Sequence, residues 1–313
     1  MPLSIMRWVM HRRIPGYFLF LSSCLQYYSG FSKKGGFTMK HKKLIFKLLY
    51  YLIMIILSVF MILPLFWMIT TSLKESGALT AIPIEWIPKK ISFGSYSKLF
   101  TIFPFGKAFI NSIIVSVAIT FISVFSASMA AYIFAKIPFK GREALFGIFI
   151  STMMIPGSVT LIPNYLILRN LHLLNSYLGV ILPSFFNIFG IFILRQHIRT
   201  IPDDFIDAAV MDGASQWTIF FNIIIPLSKP SIATLTVITF MGAWNDYLWP
   251  LIVLTDKSKM TLPVALSMLN GQYSTEYNLL MAGALISIIP ILIVYAFAQK
   301  YFEEGLTAGG IKG

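Results

Sequence analysis

Six apolar runs dominate this chain and leave it few ways to fold. They lie at Leu48–Thr70, Ile110–Phe134, Leu145–Leu166, Tyr177–Leu194, Ile232–Leu254 and Leu279–Phe297. Each is long enough to cross a bilayer core, which takes roughly 20 residues. No water competes for the backbone in hydrocarbon, so each run must satisfy its own N–H and C=O groups. The expected fold class is therefore an all-α membrane protein with six transmembrane helices. Pro64, Pro156–Gly157, Pro183, Pro250 and Pro290 fall inside the runs. In membrane helices such residues mean kinks packed against neighbours.

Composition agrees. Of 313 residues, 57% are hydrophobic and 12% charged, with a mean hydropathy of +0.78, too little charge to cover a soluble surface of this size. The net charge of +13 does not point to nucleic acid, because the lysines and arginines sit at the ends of apolar runs rather than along one face. The single cysteine, Cys24, excludes an internal disulfide framework and a cysteine-built metal site. With both termini cytoplasmic, seventeen of the 25 lysines and arginines lie inside. They include the Lys40–Lys47 cluster, Lys136, Lys140, Arg142, Arg195, Arg199 and Lys229. That excess predicts an N-in, C-in orientation. Two longer loops, about 71–109 and 255–278, then face outward.

Between the fourth and fifth runs lies IDAAVMDGASQWTIFFNIIIPLSKP, residues 206–230. Pro202 is placed to begin a helix, with Asp203 and Asp204 at its positive end. Phe205, Ala208, Ala209 and Asp212 share one face at i, i+3, i+4 and i+7. Gly213 can stop the helix by taking φ > 0. Ser215 can cap a second helix through about Phe221, and Pro226 and Pro230 lead into the fifth run. A short cytoplasmic helix–turn–helix with two exposed alanines results. It suits a docking knob, or equally an interfacial helix anchored by Trp217.

The segment resembles the EAA loop of ABC-importer permeases. The matching residues are Asp207-Ala208-Ala209, Asp212-Gly213 with Ala214, and Ile225-Pro226, with Asp207 in place of the usual Glu. Phe240–Leu254, containing Trp244-Asn245-Asp246 and Trp249-Pro250-Leu251, is similar to the fifth span of carbohydrate-uptake permeases related to the maltose transporter's smaller membrane subunit. So are Ser72-Leu73-Lys74, Asn111-Ser112, and the ending Tyr301-Phe302, Gly305–Gly309 and Lys312-Gly313. The likeness covers about residues 44–313.

The resemblance implies a type I ABC-importer permease fold over residues 39–313, with a coupling loop at about 200–229. It also implies a sugar-import role shared with a second permease subunit, an ATP-binding cassette ATPase dimer docked on the coupling loop, and an extracytoplasmic sugar-binding protein. The 255–278 loop is the segment expected to reach toward that binding protein. No G-x-x-x-x-G-K-[ST] phosphate loop occurs here, so no cofactor is expected in this chain, and ATP and Mg would be bound by the partner ATPase.

His11, His41, His172 and His197 lie outside the runs, with no H-E-x-x-H and no clustered carboxylates, so no catalytic residue and no metal site is expected. Asp246 is the one acidic or basic residue inside a run. It leaves an ion-coupled secondary transporter or channel as the alternative. Asn187, Trp244, Asn245 and Asp246 are the residues available to line a polar pathway. Asn164 and Asn187 equally suit interhelical hydrogen bonding.

Residues 1–38 read as a non-native or poorly ordered N-terminal extension. Arg12-Arg13 before Ile14–Gln26 imitates a secretory signal, and Leu21–Cys24 a lipoprotein cleavage site. That core is short, and broken by Pro15 and Gly16. The codons of Lys33-Lys34-Gly35-Gly36 can contain AAGGAGG, a ribosome-binding sequence, two residues before Met39. Translation is thus expected to start at Met39. Intact-mass measurement of the natively expressed protein tests this: a mature terminus upstream of Met39 refutes it, and one at Cys24 points to lipidation.

Overall fold

A computed structural model describes residues 38–75, 85–102, 104–269 and 276–309, and every regular element among them is helical. The expectations for 1–37 and for Lys312-Gly313 lie outside these residues. The chain divides into two units, 1–65 and 66–313. The described part of the first unit belongs to α1, Thr38–Ser72, which is apolar on every side and continues through Pro64. Leu48–Thr70 falls within it as expected.

The second unit is organised around α3 (Phe105–Lys136), which follows the short α2 (Gly94–Ile102). The buried side of α3 carries a small and polar stripe, Ala108, Asn111, Ser112, Ser116, Thr120, Ser123, Ala127, Ser128 and Ala131, interleaved with Phe105, Val115, Ile119, Tyr132 and Phe134. Hydrocarbon gives helices no hydrophobic reason to associate, so close backbone approach and side-chain hydrogen bonds must hold them. α3 accordingly packs against α7 (Ile188–Ile198) and α11 (Lys229–Trp244). Gly190 of α7 sits at the three-helix junction. A Cβ there would come 2.9 Å from Leu235 Cδ2 and 3.1 Å from Ala127 Cβ. The last helix, α14 (Tyr277–Gly309), packs on α11 and α2.

Three of the expected spans are not continuous. The third divides into α4 (Arg142–Thr152) and α5 (Gly157–Asn170), bent by 97°. Pro156 lacks an N–H and restricts Ile155, so the helix ends outright rather than kinking. The fourth divides into α6 (Tyr177–Ile181), a 3-10 turn at Leu182–Phe185 holding Pro183, and α7. The fifth ends at Trp244 and resumes as α12 (Leu248–Val253), so Asn245 and Asp246 lie in a break rather than in a helix. Among the described residues, four helical stretches are long and apolar enough to cross a membrane, or up to six if each bent pair counts as one span.

Candidate functional site: a docking knob and a polar cavity

The knob begins two residues later than the sequence suggests, at Asp204 rather than Pro202. α8 runs Asp204–Met211, and Asp203 precedes it in helical conformation without capping it. Ile206 and Ala209 are half-buried and pack on a core cluster formed by α3, α7 and the following helix. That docking turns Asp204, Asp207, Ala208, Met211 and Asp212 outward. The two alanines therefore part company: Ala208 is exposed, whereas Ala209 faces its own bundle. They are adjacent in sequence, so about 100° of helix rotation separates them.

The stop is a full left-handed cap. Gly213 has φ 77°, its N–H donates to Val210 O at 3.0 Å, and Ala214 N–H donates to Ala209 O at 2.9 Å. This reciprocal pair satisfies the last carbonyls of α8, and Ala214 and Ala209 pack against the same cluster. Ser215 Oγ then accepts from Thr218 N–H at 3.1 Å and caps α9 (Gln216–Ile219). The second helix outruns the expected Phe221. A π turn at Phe220–Ile224 carries it into α10 (Ile225–Leu227), which contains Pro226. An 80° bend at buried Ser228 leads into α11.

Side chains of the bundle grip this segment at its base. Lys136, the last residue of α3, donates to Ile201 O at 2.5 Å and to Asp203 Oδ1 at 2.6 Å. One turn earlier, Tyr132 Oη donates to Gln216 Oε1 at 2.6 Å. Arg195 is buried: its Nε donates to Phe134 O at 3.0 Å, its Nη2 to Glu143 Oε1 at 2.6 Å, and its guanidinium lies 3.8 Å from the Phe146 ring centroid.

Elsewhere an open cavity of about 460 Å³ is lined by Asn187 and Asp246 together with Ser123, Ser184, Thr239 and Phe186. Its amide is largely committed within the chain. Asn187 Oδ1 accepts from Gly190 N–H at 2.8 Å as the cap of α7, and Nδ2 donates to Ser123 Oγ at 2.9 Å. Asp246 Oδ1 accepts from Trp249 N–H at 3.4 Å, across the first turn of α12. The other two pathway residues are not part of the lining. Trp244 is buried, stacks on Phe240 at 5.9 Å and donates to Ser287 O at 3.0 Å. Asn245 donates to Met241 O at 2.8 Å.

The family described as binding-protein-dependent transport system inner membrane component matches residues 122–308. That stretch holds both the knob and the cavity, and it is more than half of the sequence. The chain belongs to this family. Among curated relatives, the permease is 38% identical to the arabinooligosaccharides transport system permease protein AraQ of Bacillus subtilis, over 84% of this chain and 94% of that one. It is 30% identical to the diacetylchitobiose uptake system permease protein NgcG of Streptomyces coelicolor, over 82% and 86%. Among solved structures, it is similar to a chain of a bacterial ABC transporter that imports the acidic polysaccharide alginate. The TM-score is 0.74 and the identity 28%, over 83% of this chain and 98% of that chain. A second alginate transporter structure, in complex with an alginate pentasaccharide-bound periplasmic protein, shares the fold with a TM-score of 0.59 and 18% identity.

At the other end of α3 the permease holds a loop. Asn111 Nδ2 donates to Ser258 O and Met260 O, both at 3.0 Å, and Ser112 Oγ accepts from Leu262 N–H at 2.6 Å. The Ser258 amide also donates to Asp256 Oδ1 at 2.8 Å, and this bond holds the Asp256 carboxyl below the usual carboxylate range. Sequence reading named Asn111-Ser112 only as a motif and counted Lys136 only as a topological charge. Tyr132, Gln216, Met211 and Arg195 drew no functional reading. Lys136 stands at a helix C-terminus, where a cation is favoured, but a partner 65 residues distant in sequence leaves no local pattern.

Proposed function

We propose that this permease is a membrane subunit of an ATP-driven sugar importer in the bacterial cytoplasmic membrane, with six spans and both termini inside. It forms the pathway with a second permease. A cytoplasmic ATPase dimer, which holds ATP and Mg, docks on the coupling segment, here residues 203–228. An extracytoplasmic sugar-binding protein delivers solute at the opposite face. Relatives named for oligosaccharide transport support the sugar assignment.

The observation that carries the reading is the knob itself. Its exposed face presents Asp204, Asp207, Ala208, Met211 and Asp212, with exposed Phe205 and Val210 at its flanks, while no lysine or arginine occurs from 203 to 228. Helices that lie on headgroups are rich in basic residues, and anionic lipid repels carboxylates. A protein partner suits α8 better: small Ala208 admits a close approach, and Met211 is 87% exposed. Trp217, stacked on Phe221, gives the second helix an amphipathic ring suited to headgroup depth. Nucleotide-driven closure of the ATPases would displace the docked helices as a rigid body. The ion-coupled alternative draws no support from Asp246, whose Oδ1 is engaged across the first turn of α12.

Co-purification of the ATPase tests the reading. Ala208→Asp and Met211→Asp place unpaired charge in the packed contact and should abolish recovery. Ala209→Asp is uninformative, because Ala209 packs on the permease's own core. Gly213→Ala should reduce recovery less. No atom lies within 4 Å of the added Cβ, so the penalty is the backbone's alone, roughly 1–2 kcal/mol. Full recovery with both aspartate variants removes the knob from the mechanism. Solute movement by the purified chain alone down an ion gradient would establish the alternative.

A further inference from the structure

α3 bonds the start of each knob helix from one of its own faces, while His197 of α7 meets Leu227 O at 3.2 Å where the second helix ends. Tyr132 and Lys136 are four apart on α3, so they stand one above the other. Lys136 reaches the chain just before α8, through Ile201 O and Asp203 Oδ1, and Tyr132 reaches the first residue of α9 through Gln216 Oε1. Both grips are sheltered. The Lys136 side chain is only 6% exposed and Tyr132 is 4% exposed, whereas Asp203 is 74% exposed. An ammonium so shielded needs its partners, since burying it unpaired is strongly unfavourable. The same α3 continues without a break to Asn111 and Ser112, which hold the 258–262 loop.

We propose that Lys136 and Tyr132 are positioning residues that lock the docking knob to α3, so that knob and helix move as one strut when the ATPase moves the knob. The proposal rests on the reading of 203–228 as the ATPase-docking segment. Without the two grips, α8 would swing on the apolar contacts of Ile206, Ala209 and Ala214, which are non-directional. The second helix would stay seated by Ile219, Phe220, Ile224 and the His197–Leu227 bond, and the displacement of α8 would then not reach the far end of α3.

Distance measurement tests this without knowledge of the solute. In a Cys24→Ser background, spin labels at Val210→Cys, on the knob but off its docking face, and at Ile110→Cys at the far end of α3 report their separation by pulsed dipolar spectroscopy. Both native side chains are exposed, at 50% and 56%. The complex with its ATPase is compared without nucleotide and after trapping with ATP and vanadate. In the parent the distribution is expected to stay single and unshifted on trapping. In Lys136→Met and in Tyr132→Phe it is expected to shift or split on trapping, with ATPase recovery at the parental level. Lys136→Arg, which can still donate to both oxygens, should restore the unshifted distribution.

A parental distance that changes on trapping overturns the strut, and so does a parent-like distribution in both variants. Loss of ATPase recovery in both would mean that the bonds only build the docking surface, which also overturns it. Tyr132→Phe removes a single hydroxyl and keeps the test decisive if Lys136→Met does not assemble. A parent that recovers no ATPase at all refutes the docking reading itself, a result distinct from any of these.

Discussion

Replacing Asn111 should release the 258–262 loop, and the order of two variants gives the sharper test. Asn111 is 6% exposed, and its Nδ2 donates to the carbonyls of Ser258 and Met260, each at 3.0 Å. A typical hydrogen bond contributes about 1 kcal/mol net, but a buried carbonyl left without a donor costs roughly 1–3 kcal/mol. Asn111→Ala removes both donors, so a local loss of about 2–4 kcal/mol is expected. Asn111→Asp has nearly the native shape, yet it offers no N–H and points a carboxylate at two carbonyl oxygens. It should therefore be worse than alanine. Lys257 and Lys259 flank the pinned residue Ser258, so tryptic cleavage of the detergent-purified protein at these lysines reads the opening directly. At 1.4 kcal/mol per tenfold, cleavage should accelerate by about 30-fold or more in Asn111→Ala, and further in Asn111→Asp. An Asp variant as resistant as the parent would refute the assignment of these bonds as the loop's anchor.

Three further outcomes follow from the packing. Gly179→Ala should lower the melting temperature in detergent sharply, because its Cβ would lie 2.3 Å from Leu173 O and 3.1 Å from Val253 Cγ1, and a backbone oxygen cannot move aside; overpacking of this kind costs about 1–3 kcal/mol. Arg195→Met should destabilise by roughly 1–3 kcal/mol, by leaving Phe134 O without its donor, and the melting curve checks it. Asp246→Asn should keep ATP-driven uptake at every pH tested, since asparagine caps a helix about as well as aspartate; abolished uptake with a proton-gradient dependence in the parent would favour ion coupling.

The sequence by itself determined the fold class, the family resemblance and the layout of the knob, because each rests on local chemistry. Apolar length forces helices in hydrocarbon, Gly213 is the residue that takes a left-handed φ without strain, and Ser215 caps the residues that follow it. Even the breakers were visible: Pro156–Gly157 marked the site of the 97° bend. Whether a proline kinks a helix or ends it depends on what neighbours can restore, so Pro64 and Pro290 lie inside continuous helices while Pro156 does not. Only the tertiary structure decided which faces are used. It turned Ala209 inward and Ala208 outward, buried Trp244 away from the cavity that Asp246 lines, and joined Lys136 to Asp203 and Asn111 to Ser258. Those pairings join residues dozens to more than a hundred positions apart, set by how helices pack around the small-residue stripe of α3. Periodicity along one segment carries no record of them, because an orientation that is ambiguous by one helical step is settled only by the surface it meets.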